Sequence, residues 1–212
     1  MNLDLYVITD EEIAGVLSHE EITRRALAGG ADVIQLRDKA CGPGVLVRIG
    51  RVIREITRKH GALFIVNDRI DVALACDADG VHLGQDDLCA GVVRQIAPSG
   101  FIIGVSVGTV EEAILAEREG ADYLALSPVF STASKYNAGP GHGLTVLQDI
   151  RRNVSIPVIA IGGINTGNVR DVIAAGADGV AVISAVVGSP DITAAARHLR
   201  ELVRKSRTKP RV

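Results

Sequence analysis

The stretch "GADVIQL", Gly30 to Leu36, decides the fold because it recurs. "DADGVHL" begins at Asp77, "GADYLAL" at Gly120 and "GADGVAVI" at Gly176. Each copy follows a helical pattern and leads into an apolar run. Glycine opens three of the four copies, the residue that suits a left-handed helix cap. The copies start 47, 43 and 56 residues apart, each step about two strand-plus-helix units long. A further apolar run is therefore expected between each pair. "LFIVND" from Leu63, "FIIGVS" from Phe101 and "PVIAIGG" from Pro157 fill those places, and "LYVITD" from Leu5 precedes the first copy. The count is eight short strands.

The segments between the strands read as helices. Ser18 to Glu21 and Thr109 to Glu112 are capping boxes. Leu46, Ile49, Ile53 and Ile56 form a helical stripe, and Leu199, Leu202 and Val203 give the last helix its apolar face. Strands that are apolar almost throughout are covered on both sides, which is the condition of a parallel sheet. Eight parallel strands alternating with helices predict a single-domain (β/α)8 TIM barrel over residues 1–205, with 206–212 as a basic tail. A doubly wound sheet is the competing arrangement, but no G-x-G-x-x-G follows the first strand.

Composition narrows the function. The 212 residues are 47% apolar, enough for a sizeable core, and the net charge is −2. A nucleic-acid binder would carry a basic stripe; here the one basic run is "RKSRTKPRV" from Arg204, expected to be a solvated, frayed end. Cys41, Cys76 and Cys89 are scattered, with no C-x-x-C pair, so neither a disulfide framework nor zinc is indicated. Free thiols fit a reducing, cytoplasmic setting. The N-terminus shows no signal-peptide pattern. No apolar stretch reaches the roughly 20 residues that a membrane span requires.

In a (β/α)8 barrel the chemistry gathers where strands end. The ends deliver three clusters. Gln35, Arg37, Lys39, Asn67 and Lys135 are polar or cationic and suit phosphate oxygens. Asp68 and Asp87 are acids beside those cations, where a Mg²⁺ ion would reconcile them with a phosphate. Salt bridges to Arg37 or Arg69 are the plainer alternative for both acids. In "GVHLGQDD" (80–87), Asp87 is expected to face the metal and its neighbour Asp86 to turn to solvent. His82 is expected in the core or the barrel interior. Gly162-Gly163 and Ile183-Ser184 follow strands seven and eight, where backbone N–H groups often cradle a phosphate. No nucleophile–base pair is legible, leaving electrostatic stabilisation of a leaving group as the expected chemistry.

With these residues in view, "YVITD", "QLRDK", "VNDRIDVALACDADGVHLGQDD", "GVSV", "SPVFSTASK", "IAIGGI" and "GVAVISA" resemble the thiamine phosphate synthase family from about residue 5 to 190. The resemblance implies a transferase that joins 4-amino-5-hydroxymethyl-2-methylpyrimidine pyrophosphate to thiazole phosphate, giving thiamine phosphate and pyrophosphate. It implies that the pyrimidine–pyrophosphate bond breaks first, with Mg²⁺ assistance, through a pyrimidine carbocation. Gln35, Arg37, Lys39, Asn67 and Lys135 match pyrimidine-pyrophosphate contacts. Ser106 matches a residue near the pyrimidine and leaving group, and with Arg37, Lys39 and Lys135 makes up the expected catalytic set. Asp68 and Asp87 match the Mg²⁺ ligands. Thr132, Ser134, Gly163, Ile183 and Ser184 match the thiazole-phosphate site. The implied partners are these small molecules, with a homodimer as one assembly open to the chain.

Three positions depart from the family: Gly108 where His, Ser or Thr is common, Ser134 where Thr is common, and Ser127 where Gly is usual. The glycine-rich loop from Tyr136 to Gly143 is expected to act as a lid, and His142 within it has no assigned role. Two rivals remain: a thiazole tautomerase of the same superfamily, which lacks the paired acids, and a non-catalytic phosphate-binding barrel.

Overall fold

A computed structural model describes residues 1–132 and 140–207. All eight expected strands form: β1 (Leu5–Ile8), β2 (Val33–Leu36), β3 (Leu63–Asn67), β4 (Gly80–Leu83), β5 (Ile102–Val107), β6 (Tyr123–Leu126), β7 (Val158–Ile161) and β8 (Gly179–Val182). They pair in parallel, in chain order, and β8 closes on β1. Closure rules out the doubly wound sheet. Around the strands lie α1 (Glu11–Ala14), α2 (His19–Ala28), α3 (Pro43–His60), α4 (Ile70–Ala75), α5 (Ala90–Ile96), α6 (Val110–Arg118), α7 (Gly143–Asn153), α8 (Val169–Ala174), α9 (Ser184–Val187) and α10 (Ile192–Arg207). The side chains of Ser18 and Thr109 cap α2 and α6 as the capping boxes predict.

The unbroken apolar runs now have a cause. Leu5 and Val7 pack outward into the layer beneath the helices. Tyr6 and Ile8 point inward and join Val33, Ile65, Tyr123, Ala125, Ile159 and Ala181 in a second core inside the barrel. Alternate residues of one strand serve two cores, so both faces are largely apolar.

The repeat also has a cause. Its first residue takes positive φ in all four copies: 96° at Gly30, 57° at Asp77, 92° at Gly120 and 108° at Gly176. Its aspartate then ties two strands together. The N–H of Asp32 donates to the Leu5 carbonyl at 2.9 Å, and the Asp32 carboxylate accepts the Leu5 N–H at 3.1 Å. Asp79 does the same with Phe64, Asp122 with Ile103 and Asp178 with Val158. Each carboxylate also meets an arginine: Arg200, Arg54, Arg94 and Arg151 respectively. These ties hold β1 to β2, β3 to β4, β5 to β6 and β7 to β8 where the strands begin, at the barrel foot.

The basic run at the C-terminus is more ordered than expected over its first part. α10 continues through Arg207, and both Arg204 and Arg207 pair with Asp4. Residues 208–212 lie outside the described residues.

Candidate active site

The strand ends converge on one cavity with about 930 Å³ of empty volume, including its open mouth. Among the expected site residues, Gln35, Arg37, Lys39, Asn67, Asp68, Ser106, Thr132, Gly163, Ile183 and Ser184 line it. Ser134 and Lys135, and residues 136–139 of the expected lid, lie outside the described residues. Tyr6, His82 and Ser127 also line the cavity, and the sequence reading assigned none of them a function.

The "QLRDK" segment divides its work by position. Gln35 is buried at the end of β2. Arg37 is held by Asp10, with Nη1 at 3.0 Å from Oδ2. Between Arg37 and Lys39, the Asp38 carboxylate accepts the N–H groups of Ala40 at 2.7 Å and Cys41 at 2.9 Å, and meets His19 Nε2 at 3.3 Å. That turn fixes the backbone carrying the two cations. Burial raises the Asp38 pKa, but the bonds from Cys41, Ala40 and His19 outweigh it and pull the carboxyl down to about 2. A folded pKa below the unfolded one adds stability above pH 4, and that stability is lost as pH falls toward 2. We expect Asp38→Asn to flatten the pH dependence of Tm across this window and to cost about 1–2 kcal/mol at neutral pH. Thermal melts from pH 2 to 7 check it; an unchanged slope would count against the turn.

The acids meet as a pair. Asp68 follows β3 in the left-handed region, at φ 62°, an unusual conformation for a residue other than glycine. Its N–H is anchored on the His82 carbonyl at 2.8 Å. Asp87 is not part of the cavity wall; it stands behind Asp68, its carboxylate taking the Gly84 N–H at 2.7 Å. Burial, a hydrogen bond to Asp87 and the Asp87 charge push Asp68 up to about 6, against the pull of Lys39 and Arg37. The salt-bridge alternative fails for both arginines: Arg37 pairs with Asp10 and Arg69 with Asp71. Lys39 Nζ lies 3.8 Å from Asp68. Asp86 is exposed, as expected of a bystander, and Asp87 is half-buried.

The opposite wall is nearly free of side chains. Gly162 and Gly163 have φ of 99° and 65°, and a Cβ on either would strike the loop after β6. At Gly162 it would come within 2.5 Å of Pro128 Cβ, and at Gly163 within 2.7 Å of the Ser131 carbonyl oxygen. The Gly163 carbonyl accepts the side-chain amides of Asn168 at 2.9 Å and Asn165 at 3.3 Å, which brace the turn against the start of α8. Next to it, Ile183 and Ser184 line the cavity where β8 gives way to α9, and the Ile183 carbonyl accepts the N–H groups of Val186 at 3.1 Å and Val187 at 2.7 Å.

A hydrogen-bonded chain crosses the barrel beneath this mouth. Gln35 Nε2 donates to Tyr6 Oη at 2.7 Å, and Tyr6 Oη lies 3.0 Å from Tyr123 Oη. Tyr123 Oη lies 3.0 Å from His82 Nδ1, and His82 Nε2 lies 2.9 Å from Ser106 Oγ. Gly104 makes room for it, because a Cβ there would fall 2.1 Å from the Tyr123 ring. A second glycine, Gly108, makes room for His142, whose Cε1 lies 2.8 Å from where a Cβ at position 108 would be.

Fold and site together define the class: a (β/α)8 barrel enzyme with its chemistry at the strand ends. The family model described as thiamine monophosphate synthase matches residues 5–186. A thiamine-phosphate synthase of Methanoregula boonei is 66% identical over 203 residues, covering 96% of this chain and 94% of that protein. A second, from Methanocella arvoryzae, is 58% identical over 98% of each chain. The solved thiamine phosphate pyrophosphorylase from Pyrococcus furiosus superposes with a TM-score of 0.90 at 48% identity, covering 96% of both chains. The chain belongs to the thiamine monophosphate synthase family and is a transferase of thiamine biosynthesis.

Proposed function

We propose that this thiamine-phosphate synthase works by dissociative displacement: the pyrimidine–pyrophosphate bond breaks first, and the thiazole nitrogen captures the pyrimidine carbocation. The observation that carries this reading is the cavity's two unlike ends. One end has Asp68, backed by Asp87, near Lys39 and Arg37, the other a glycine turn beside a helix start. The first suits a metal-bound pyrophosphate, the second a phosphate on backbone amides.

The acid pair fits Mg²⁺. Asp68 and Asp87 are hard oxygen donors, their nearest arginines are committed elsewhere, and a divalent cation would relieve their repulsion. The remaining places in its coordination shell would fall to phosphate oxygens and water. When bound, Mg²⁺ neutralises charge on the departing pyrophosphate.

The chain's own residues do the rest. Arg37, braced by Asp10, and Lys39 hold the pyrophosphate oxygens and stabilise their charge as the bond lengthens. Gln35 and Ser106 bracket the pyrimidine from opposite walls. Thr132, Gly163, Ile183 and Ser184 hold the thiazole phosphate so that its ring nitrogen faces the carbocation. Such a reaction requires positioning and electrostatics and no strong base.

The test mixes purified protein with both substrates and Mg²⁺ and follows thiamine phosphate by chromatography. Product is expected at one equivalent per pyrophosphate released, and chelation should lower the rate at least about 100-fold. Full activity after rigorous metal removal would overturn the Mg²⁺ assignment. No product from folded protein would overturn the reaction itself.

A further inference from the structure

We infer that His19 is a positioning residue for the proposed pyrophosphate end: its ring fastens the end of β1 to the loop after β2 and so sets where Arg37 and Lys39 stand. The proposal rests on the reading above that these two cations hold the pyrophosphate oxygens. His19 is buried and is not part of the cavity wall, so it acts on the ligand only through other groups.

Both nitrogens of the ring are engaged. Nδ1 lies 2.7 Å from Thr9 Oγ1, and Nε2 lies 3.3 Å from Asp38 Oδ2. Glu11 Oε1 is farther from Nε2, at 3.8 Å. Burial favours the neutral form of Asp38, yet the bonds from Cys41, Ala40 and His19 hold its carboxyl at about 2. At neutral pH that group is a carboxylate and can only accept, so Nε2 carries a hydrogen whatever the charge of the ring. Thr9 is equally indifferent to that charge, because a hydroxyl can give or take a hydrogen bond at Nδ1. The ring is placed by α2: His19 is its first residue, and the His19 N–H donates to Glu11 Oε1 at 2.8 Å.

Two routes lead from the ring to the cations. The paired residues of β1 and β2 end at Ile8 and Gln35. Beyond them the Arg37 N–H reaches Thr9 Oγ1 at 3.4 Å, so a side chain continues the ladder. The second route runs through Asp38. Its Oδ1 takes the N–H groups of Ala40 and Cys41, so tethering its Oδ2 to His19 tethers the turn that carries Lys39. The Arg37 guanidinium meets Asp10, the neighbour of Thr9. Thr9, Asp10 and His19 thus make one platform, and residues 37–41 dock on it. Cations held in place before the reaction stabilise developing charge without reorganising, and a small misplacement slows the step.

The test reads single-turnover rates with both substrates and Mg²⁺ at saturation. His19→Leu fills much of the same space without either bond. It should slow the reaction about 10- to 100-fold, with KM for thiazole phosphate within about threefold of wild type. His19→Gln places an amide N–H where Nε2 stands and should recover the rate to within about fivefold of wild type. His19→Asn is too short to reach Asp38 and should stay near the leucine variant. A purely packing role predicts rates that follow Tm and not this order. Folded His19→Leu and His19→Gln proteins that turn over alike would overturn the proposal. Thr9→Val removes the hydroxyl at nearly constant volume and should slow the reaction about tenfold. If no His19 variant folds, a folded Thr9→Val protein within about threefold of the wild-type rate overturns the proposal. Arg37→Ala tests the reading beneath it. If that variant leaves inhibition by inorganic pyrophosphate unchanged, pyrophosphate is held elsewhere, and the reading falls together with the proposal. If it weakens the inhibition about tenfold or more while His19→Leu and Thr9→Val stay within about threefold of the wild-type rate, the positioning role alone falls.

Discussion

The Asp87→Ala enzyme is expected to turn over on the order of 100-fold or more below wild type at saturating Mg²⁺, with thiazole-phosphate affinity unchanged within about threefold. The geometry gives Asp87 two duties. It takes the Gly84 N–H, and it presses its charge on Asp68. Losing the first should loosen the loop after β4 by about 1 kcal/mol. Losing the second removes half of the proposed oxygen pair for the metal. The two can be told apart by Tm. In chelator, the variant should melt within a few degrees of wild type. The rise in Tm that Mg²⁺ and pyrophosphate together give wild type should disappear, because a ligand stabilises only what it binds. Steady-state kinetics over a Mg²⁺ range, with melts alongside, check both parts. A variant that keeps the Mg²⁺-dependent rise in Tm would mean that the ion is held elsewhere.

Gly163→Val should do the complementary damage. At φ 65° a β-branched residue meets its own backbone, a cost of about 1–2 kcal/mol. Its Cβ would also fall 2.8 Å from Phe130 Cβ and 2.7 Å from the Ser131 carbonyl oxygen. The loop after β6 and the turn after β7 cannot both keep their places. KM for thiazole phosphate should rise about 100-fold or more, while affinity for the pyrimidine pyrophosphate falls by less than about tenfold. Gly163→Ala, with the same Cβ and no branch, should fall between. Together the two variants divide the cavity into its two ends: one loses the metal-dependent half, the other the backbone cradle. If Gly163→Val weakened both substrates equally, the assignment of the ends would be wrong.

The barrel was legible because its signals are local. Each repeat carries its own turn residue and its own aspartate within three positions, and eight strand ends follow from counting. That Gln35, Arg37, Lys39, Asn67, Asp68, Gly163, Ile183 and Ser184 line one cavity was legible for the same reason: each sits at or just after the end of an apolar run. What was not legible depends on distant parts of the chain meeting. Tyr6 and Tyr123 touch across 117 residues, and nothing in "LYVITD" or "YLAL" marks those side chains as facing each other. Arg37 could be placed at the mouth, but its partner Asp10 lies 27 residues back. His82 could be placed in the core or the barrel interior, yet its link to Ser106 needs the register of β4 against β5. His142, without a role in the sequence, proves to sit in the space that Gly108 leaves open.

The four aspartate ties at the foot also bear on how this chain could be rewired. Each tie joins an odd strand to the even strand after it and is made by the turn that enters the even strand. Severing the backbone at such a turn would cut a tie and separate two strands that lean on each other. Severing it in a loop at the mouth, or in the turn that enters an odd strand, would spare all four. The barrel is thus built as four self-fastened quarters, and circular permutation has natural seams between them.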